Sequence, residues 1–279
     1  MAQKISEMQE GLKTTQYKVL EKGFKNWLAT LGYAESTVYG HPRQLREFLS
    51  WLEQQGCTQI KDVTQKQAET FIGYFKNRPN QRRPGGISIS HVNKQTDTLN
   101  KFFKYLNNTR QYNQSILLKK LKEEELKKRE ILSLEEIQQL YQATDNSPIG
   151  MRDRAMLAVY YGCGIRKKEG LELEVADVLF ERRLLYVRKA KNGYERYVPI
   201  SLKALQDLEV YIYNARPLLI EDNYHSDSLF ISERGRAMKS GAMVSRLKLL
   251  KEKTGNPRLH NRSFGLHALR HSIATHLLQ

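Results

Sequence analysis

Cysteine is nearly absent: the 279 residues contain two, Cys57 and Cys163, with no motif spacing between them. That excludes a disulfide framework and a cysteine-built zinc site. No apolar run approaches the roughly 18 residues of a membrane-spanning helix, and the opening MAQKISEMQEGLK lacks the apolar stretch of a signal peptide. A cytoplasmic protein with no membrane partner is expected. Acidic side chains are also scarce, 30 Asp and Glu against 46 Lys and Arg. No cluster of carboxylates suggests a two-metal centre, so neither a metal nor a cofactor is expected.

What is present is an ordinary folding composition, 40% hydrophobic and 27% charged, carrying a net charge of +16 and a pI near 9.7. A field of that sign attracts polyanions, of which nucleic acid is the commonest. The charge is not a basic tail on a neutral body. Residues 1–110 hold 17 basic and 9 acidic side chains, which is half the excess. Both halves are expected to face the same polyanion, as a clamp would.

The first 110 residues read as a helical domain. Leu45, Phe48, Leu49 and Leu52 recur at helical spacing, as do Ala68, Phe71, Ile72 and Phe75, and again Leu99, Phe102, Phe103 and Leu106. Pro42 suggests that the regular part of the second helix begins after it. Residues 77–86, NRPNQRRPGG, form a loop carrying Arg78, Arg82 and Arg83. Residues 111–130 are polar and highly charged, a linker signature. A second domain, 131–279, opens on Ser133 with Glu136 three residues on, a capping box, and on the staple pair Leu132 and Ile137. Its helix over 147–161 runs into Gly162 and Gly164, and another starts near Arg166. The stretch VLFERRLLYVRKAKNGYERYVPI then changes period around Asn192-Gly193, which predicts a small three-stranded antiparallel sheet. Helices are expected from Leu202 to the end.

Four pieces could carry chemistry together. Gly164 turns the chain and presents Arg166 at a helix start, with Glu169 one turn on as a carboxylate to fix the guanidinium. Lys191 sits at the predicted hairpin tip. His267 and Arg270, spaced i and i+3, can reach one phosphate from one helix face. The fourth piece is the order Arg, Lys, His, Arg on a basic chain of two parts.

That order resembles the tyrosine recombinase (phage-integrase) family, and the flanking text agrees: REILSLEEIQQLY, GMRDRAMLAVYYGCGIRKKEGLEL, YERYVPIS, LFISERGRAM and GLHALRHSIATHLL. The likeness runs from about residue 15 to the last residue. It implies a mainly α fold of two domains, a helical core-binding (SAM-like) domain and an α-rich catalytic domain with the small sheet. It also implies site-specific DNA cleavage and rejoining through a 3′-phosphotyrosyl link, without metal. Arg166 and Arg270 would bind the phosphate and Lys191 would protonate the leaving oxygen. His267 would hydrogen-bond the phosphate or take a proton, and Glu169 would orient the site. Arg82, Arg83, Lys94 and Lys101 are the candidate DNA contacts of the first domain. Double-stranded DNA is the implied partner, with a tetrameric synapse expected of the full-length protein. The two-domain type, Xer-like or a transposon or phage integrase, fits the short segment before the first helix.

One departure stands out. The family places its tyrosine after the HxxR motif, yet all 15 tyrosines here precede His267, the last being Tyr224. The chain therefore reads as C-terminally truncated and inactive in cleavage alone. A non-catalytic DNA-binding relative and a type IB topoisomerase relative are the alternatives.

Overall fold

The computed structural model describes residues 11–80, 84–112, 115–122, 130–188, 194–221 and 224–279. Two compact units divide the chain, Met1–Leu126 and Lys127–Gln279.

Among the described residues the first unit packs four helices, α1 (Thr15–Thr30), α2 (Glu35–Gln54), α3 (Gln65–Asn77) and α4 (Ile89–Asn108), with a 3₁₀ turn at Ile60–Asp62 between α2 and α3. Three stripes expected from sequence meet at its centre. Leu45, Phe48, Leu49, Leu52, Phe71, Phe75, Leu99, Phe102, Phe103 and Leu106 are all buried. The rings interlock, with Phe48 and Phe71 centroids 5.0 Å apart and Phe24 meeting Phe102 edge-on at 5.5 Å. Each such side chain contributes about 1.5–3 kcal/mol on burial. That gain explains why Pro42 does not mark a helix start. It lies well inside α2, itself buried among Val38, His41 and Leu45. Packing of the helix outweighs the one backbone hydrogen bond proline forgoes.

Residues 115–121, expected in the linker, instead lie along this unit without regular secondary structure. Ile116 and Leu118 are buried in its core. Their backbone is held by side-chain amides rather than by a strand. Asn100 accepts from Leu118 N at 2.9 Å and donates to Leu118 O at 3.0 Å. Asn93 treats Leu121 in the same two-way manner, and Gln65 does so with Leu117.

The second unit opens as the sequence predicts. Ser133 caps α5 (Leu134–Gln142), and Glu136 returns a bond to the Ser133 amide at 2.9 Å. Next comes α6 (Pro148–Leu157), prolonged by a π-helical turn at Ala158–Gly162, then α7 (Lys167–Leu171). The sheet has the order β1 (Val178–Leu179), β2 (Leu184–Val187), β3 (Arg196–Pro199), antiparallel throughout, with Leu185 opposite Val198 and Val187 opposite Arg196. The Asn192-Gly193 turn and Lys191 lie outside the described residues. Helices resume at α8 (Leu202–Val210), pass through a second π turn into α9 (Arg216–Leu219), and end with α10 (Ser240–Lys253), α11 (Pro257–Asn261) and α12 (Leu266–His276). They are not continuous. Between α9 and α10 the described backbone is non-helical, with bridges Glu174–Ser228 and Ile231–Ala237, where Gly235 adopts φ +70° in a tight turn.

Beneath α10 lies a buried ion network. Asp153, fully buried on α6, accepts from Arg246 at 2.6 Å and from its neighbour Arg152 at 3.2 Å. Arg152, itself 1% exposed, also donates to the Ile231 carbonyl at 3.0 Å.

Candidate active site

From α6 into the π turn that prolongs it, Ala155–Tyr160 are all buried in the core of the second unit. The π turn inserts an extra residue into the helical repeat, a distortion found often at functional sites. The chain then reverses at Gly164, whose φ of +58° suits a residue without Cβ. Ile165 is buried behind it, and Arg166 becomes the N-cap of α7.

Glu169 makes that start rigid. Its Oε2 accepts from the Arg166 amide at 3.0 Å, and its Oε1 accepts from the Arg166 guanidinium at 2.8 Å. The sequence pairs these two residues, but it does not reveal a third. Arg196, on the inward face of β3, donates to both oxygens of Glu169 at 2.7 and 3.1 Å. Glu169 is thus a carboxylate with a 4% exposed side chain between two guanidiniums. Burial alone would raise its pKa, yet the hydrogen bonds from Arg196 and Arg166 hold it down at about 2.

Arg270 arrives from α12. Leu266, Leu269 and Ser272 form the buried face of that helix, and Ser272 anchors it by accepting from Leu132 N at 2.8 Å. Arg270 flanks this face and donates to the Gly164 carbonyl, two residues before Arg166. Burial, with the charges of Arg166 and Arg196 nearby, lowers its pKa. Arg166, Arg196, Glu169 and Arg270 therefore form one cluster with a surplus of two positive charges. His267, one turn before Arg270, is exposed. His276 takes a separate place, its Nδ1 2.9 Å from the Tyr161 hydroxyl.

Tyr160 packs against α7. Its buried hydroxyl donates to the Lys167 carbonyl at 3.1 Å, and its ring lies against Gly170. A Cβ on Gly170 would come 2.6 Å from the hydroxyl oxygen and 2.7 Å from the ring. Gly170→Ala is expected to cost about 1–3 kcal/mol through overpacking, read as a lowered urea midpoint; an unchanged midpoint would show that α7 yields freely. Cys163 is no alternative nucleophile, since burial pushes its thiol up to about 12.

In the first unit, Lys94 is exposed on α4. Lys101 is not open in the same way: its ammonium pairs with Asp97 one turn earlier, and Lys120 lies 3.8 Å from the same carboxylate. Arg82 and Arg83 lie outside the described residues.

Comparison with known proteins supplies the lineage. The phage integrase family matches residues 130–279. The chain is 33% identical to a tyrosine recombinase XerC 2 of Ralstonia nicotianae over 276 residues, covering 96% of this chain and 75% of that protein. It is 28% identical to the XerC of Bacillus subtilis over 250 residues, 88% of this chain and 78% of that one. Among solved structures, the integrase of transposon Tn1549 with circular intermediate DNA matches with a TM-score of 0.68 at 17% identity, covering 93% of this chain and 86% of that one. A lambda integrase dimer bound to a core site gives 0.65 at 17%, with 92% and 88% covered. The chain belongs to the phage integrase family of tyrosine recombinases, enzymes of site-specific DNA recombination. The mainly helical fold with its three-stranded sheet, expected from the sequence, is the fold those structures share.

Proposed function

We propose that this chain binds double-stranded DNA and holds a scissile phosphate for cleavage and rejoining through a 3′-phosphotyrosyl intermediate. The convergence of Arg166 and Arg270, from segments 104 residues apart, around one carboxylate carries this reading. The pentacoordinate transition state places extra negative charge on the non-bridging oxygens, and planar guanidiniums bind such oxygens in pairs. Glu169 orients Arg166. His267, exposed one turn from Arg270, hydrogen-bonds the phosphate or takes the proton of the attacking hydroxyl. Lys191 protonates the 5′-oxygen as it leaves. Arg82, Arg83 and Lys94 contact the DNA backbone, and Lys101 joins them by exchanging Asp97 for a phosphate. On DNA the recombining form assembles as a tetrameric synapse.

Two measurements test this reading. Binding to duplex DNA should weaken steeply with salt, because each phosphate contact releases condensed counterion. Engaging about five phosphates gives a log–log slope of about −4.5, whereas a flat plot would remove the clamp. The second concerns the nucleophile. Tyr160 and Tyr161, the tyrosines next to Arg166 in sequence, have their hydroxyls engaged with Lys167 and His276. These 279 residues are therefore expected to supply the phosphate-binding groups without the attacking hydroxyl, and to trap no covalent adduct on a nicked suicide substrate. A denaturation-resistant protein–DNA band would overturn that expectation.

A further inference from the structure

We infer that Arg196 is a positioning residue of this site, gripping both oxygens of Glu169 from β3 and so fixing the carboxylate that fixes Arg166. The inference rests on the reading of the site as a phosphate-binding centre.

Strand geometry comes first. Alternation along β3 leaves Tyr197 and Pro199 exposed and turns Arg196 and Val198 inward. An inward guanidinium beside Val187 needs a charged partner, and among the described residues the carboxylate it meets in an ion pair is Glu169. The contact is two-pronged, one nitrogen to each oxygen at 2.7 and 3.1 Å. Such a fork sets the plane of a carboxylate as a single bond does not. Arg166 gives Glu169 only one guanidinium nitrogen, at 2.8 Å, besides its backbone amide. A guanidinium has five N–H donors, so this contact leaves donors of Arg166 for another anion.

Without Arg196 one side of Glu169 would be released. The carboxylate could then rotate toward Arg166 and take both its nitrogens, closing the guanidinium to phosphate. Arg196 thus divides the labour, occupying Glu169 so that Arg166 is held but not consumed. The charged groups around Glu169 support this division. Arg166 and Arg196 bond the carboxylate and Arg270 lies within electrostatic reach of it, while Glu172, Asp177, Arg188 and Glu195 line a recess together with it. Arg188 is taken up by Asp177 and Glu174 and offers Glu169 no replacement.

The test uses the 279-residue chain with ¹³C-labelled glutamate, following the Glu169 carboxyl by NMR and binding of inorganic phosphate by chemical shift. Arg196→Ala should keep its circular dichroism spectrum, raise the Glu169 midpoint by at least about one pH unit toward the ordinary value, and weaken phosphate binding about tenfold. Arg196→Lys, which keeps the charge but not the fork, should fold and lie between the two on both readouts; it carries the test if the alanine variant does not fold. A structural staple alone would leave phosphate affinity unmoved in the lysine variant. Phosphate binding that survives in both variants, or a Glu169 midpoint that does not move, overturns the positioning role alone. Failure of the unaltered chain to bind phosphate overturns the phosphate-site reading, and this inference with it.

Discussion

Asp153→Ala is expected to be the most destabilising single change in the second unit, lowering its stability by about 3–5 kcal/mol, the usual cost of removing one partner from a buried ion pair. The reason is what remains. Arg152, 1% exposed, would keep the Ile231 carbonyl at 3.0 Å and only a longer ion pair, to Glu233 at 3.7 Å, among its described partners, and a buried guanidinium cannot shed its proton to escape. Arg246 would lose two bonds to the same carboxylate, at 2.6 and 2.9 Å, and retain Glu233 at 3.1 Å on the surface. For a unit of this size the melting temperature should fall by roughly 6–20 °C. Thermal melts of the two proteins decide the matter. A difference below about 1 kcal/mol would mean that Glu233 or water compensates Arg152 once Asp153 is gone.

Acid should act through Glu169. Its carboxyl is held at about 2 in the folded state against an ordinary value of 4.5. The folded value is depressed, so the stabilisation is complete above about pH 4.5 and is lost as pH falls toward 2. Over that window the unfolded chain takes up a proton that the folded chain refuses. The free energy at stake is on the order of 3 kcal/mol. Urea unfolding at pH 6 and pH 3 should show the second unit of the unaltered chain well above Glu169→Gln at the higher pH, with the gap narrowing at the lower. A gap that stays constant would mean the arginines contribute no charge-dependent stability.

The parts of this site that local spacing encodes were legible in the sequence. Arg166 and Glu169 are one helical turn apart, as are His267 and Arg270, and a glycine before each pair marks a helix start. Arg196 was not legible in the same way. Its signal, a charged residue in phase with Val198 on a strand, says only that it needs a partner. The partner lies 27 residues away, and Glu169 has a nearer partner in Arg166. Asp153 and Arg246, 93 residues apart, leave no local trace at all. Pro42 misleads for the opposite reason: intrinsic propensity is a local quantity, and buried α2 is decided by packing. Lys101 shows the limit of reading charge from a helical face, since Asp97 on the preceding turn meets its ammonium.

The asparagines that hold residues 118 and 121 have a chemical vulnerability of their own. An amide can both give and receive at one site because its two ends differ, and Leu118 and Leu121 each use both ends. Hydrolysis of Asn100 or Asn93 to aspartate keeps the shape and loses the giving end. A carboxylate oxygen would then face a backbone carbonyl oxygen, two negative dipole ends in contact. Deamidation, a change of a single mass unit, would thus loosen the segment that leads out of the first unit, and the age of a preparation would show in how readily proteases cut between residues 115 and 122.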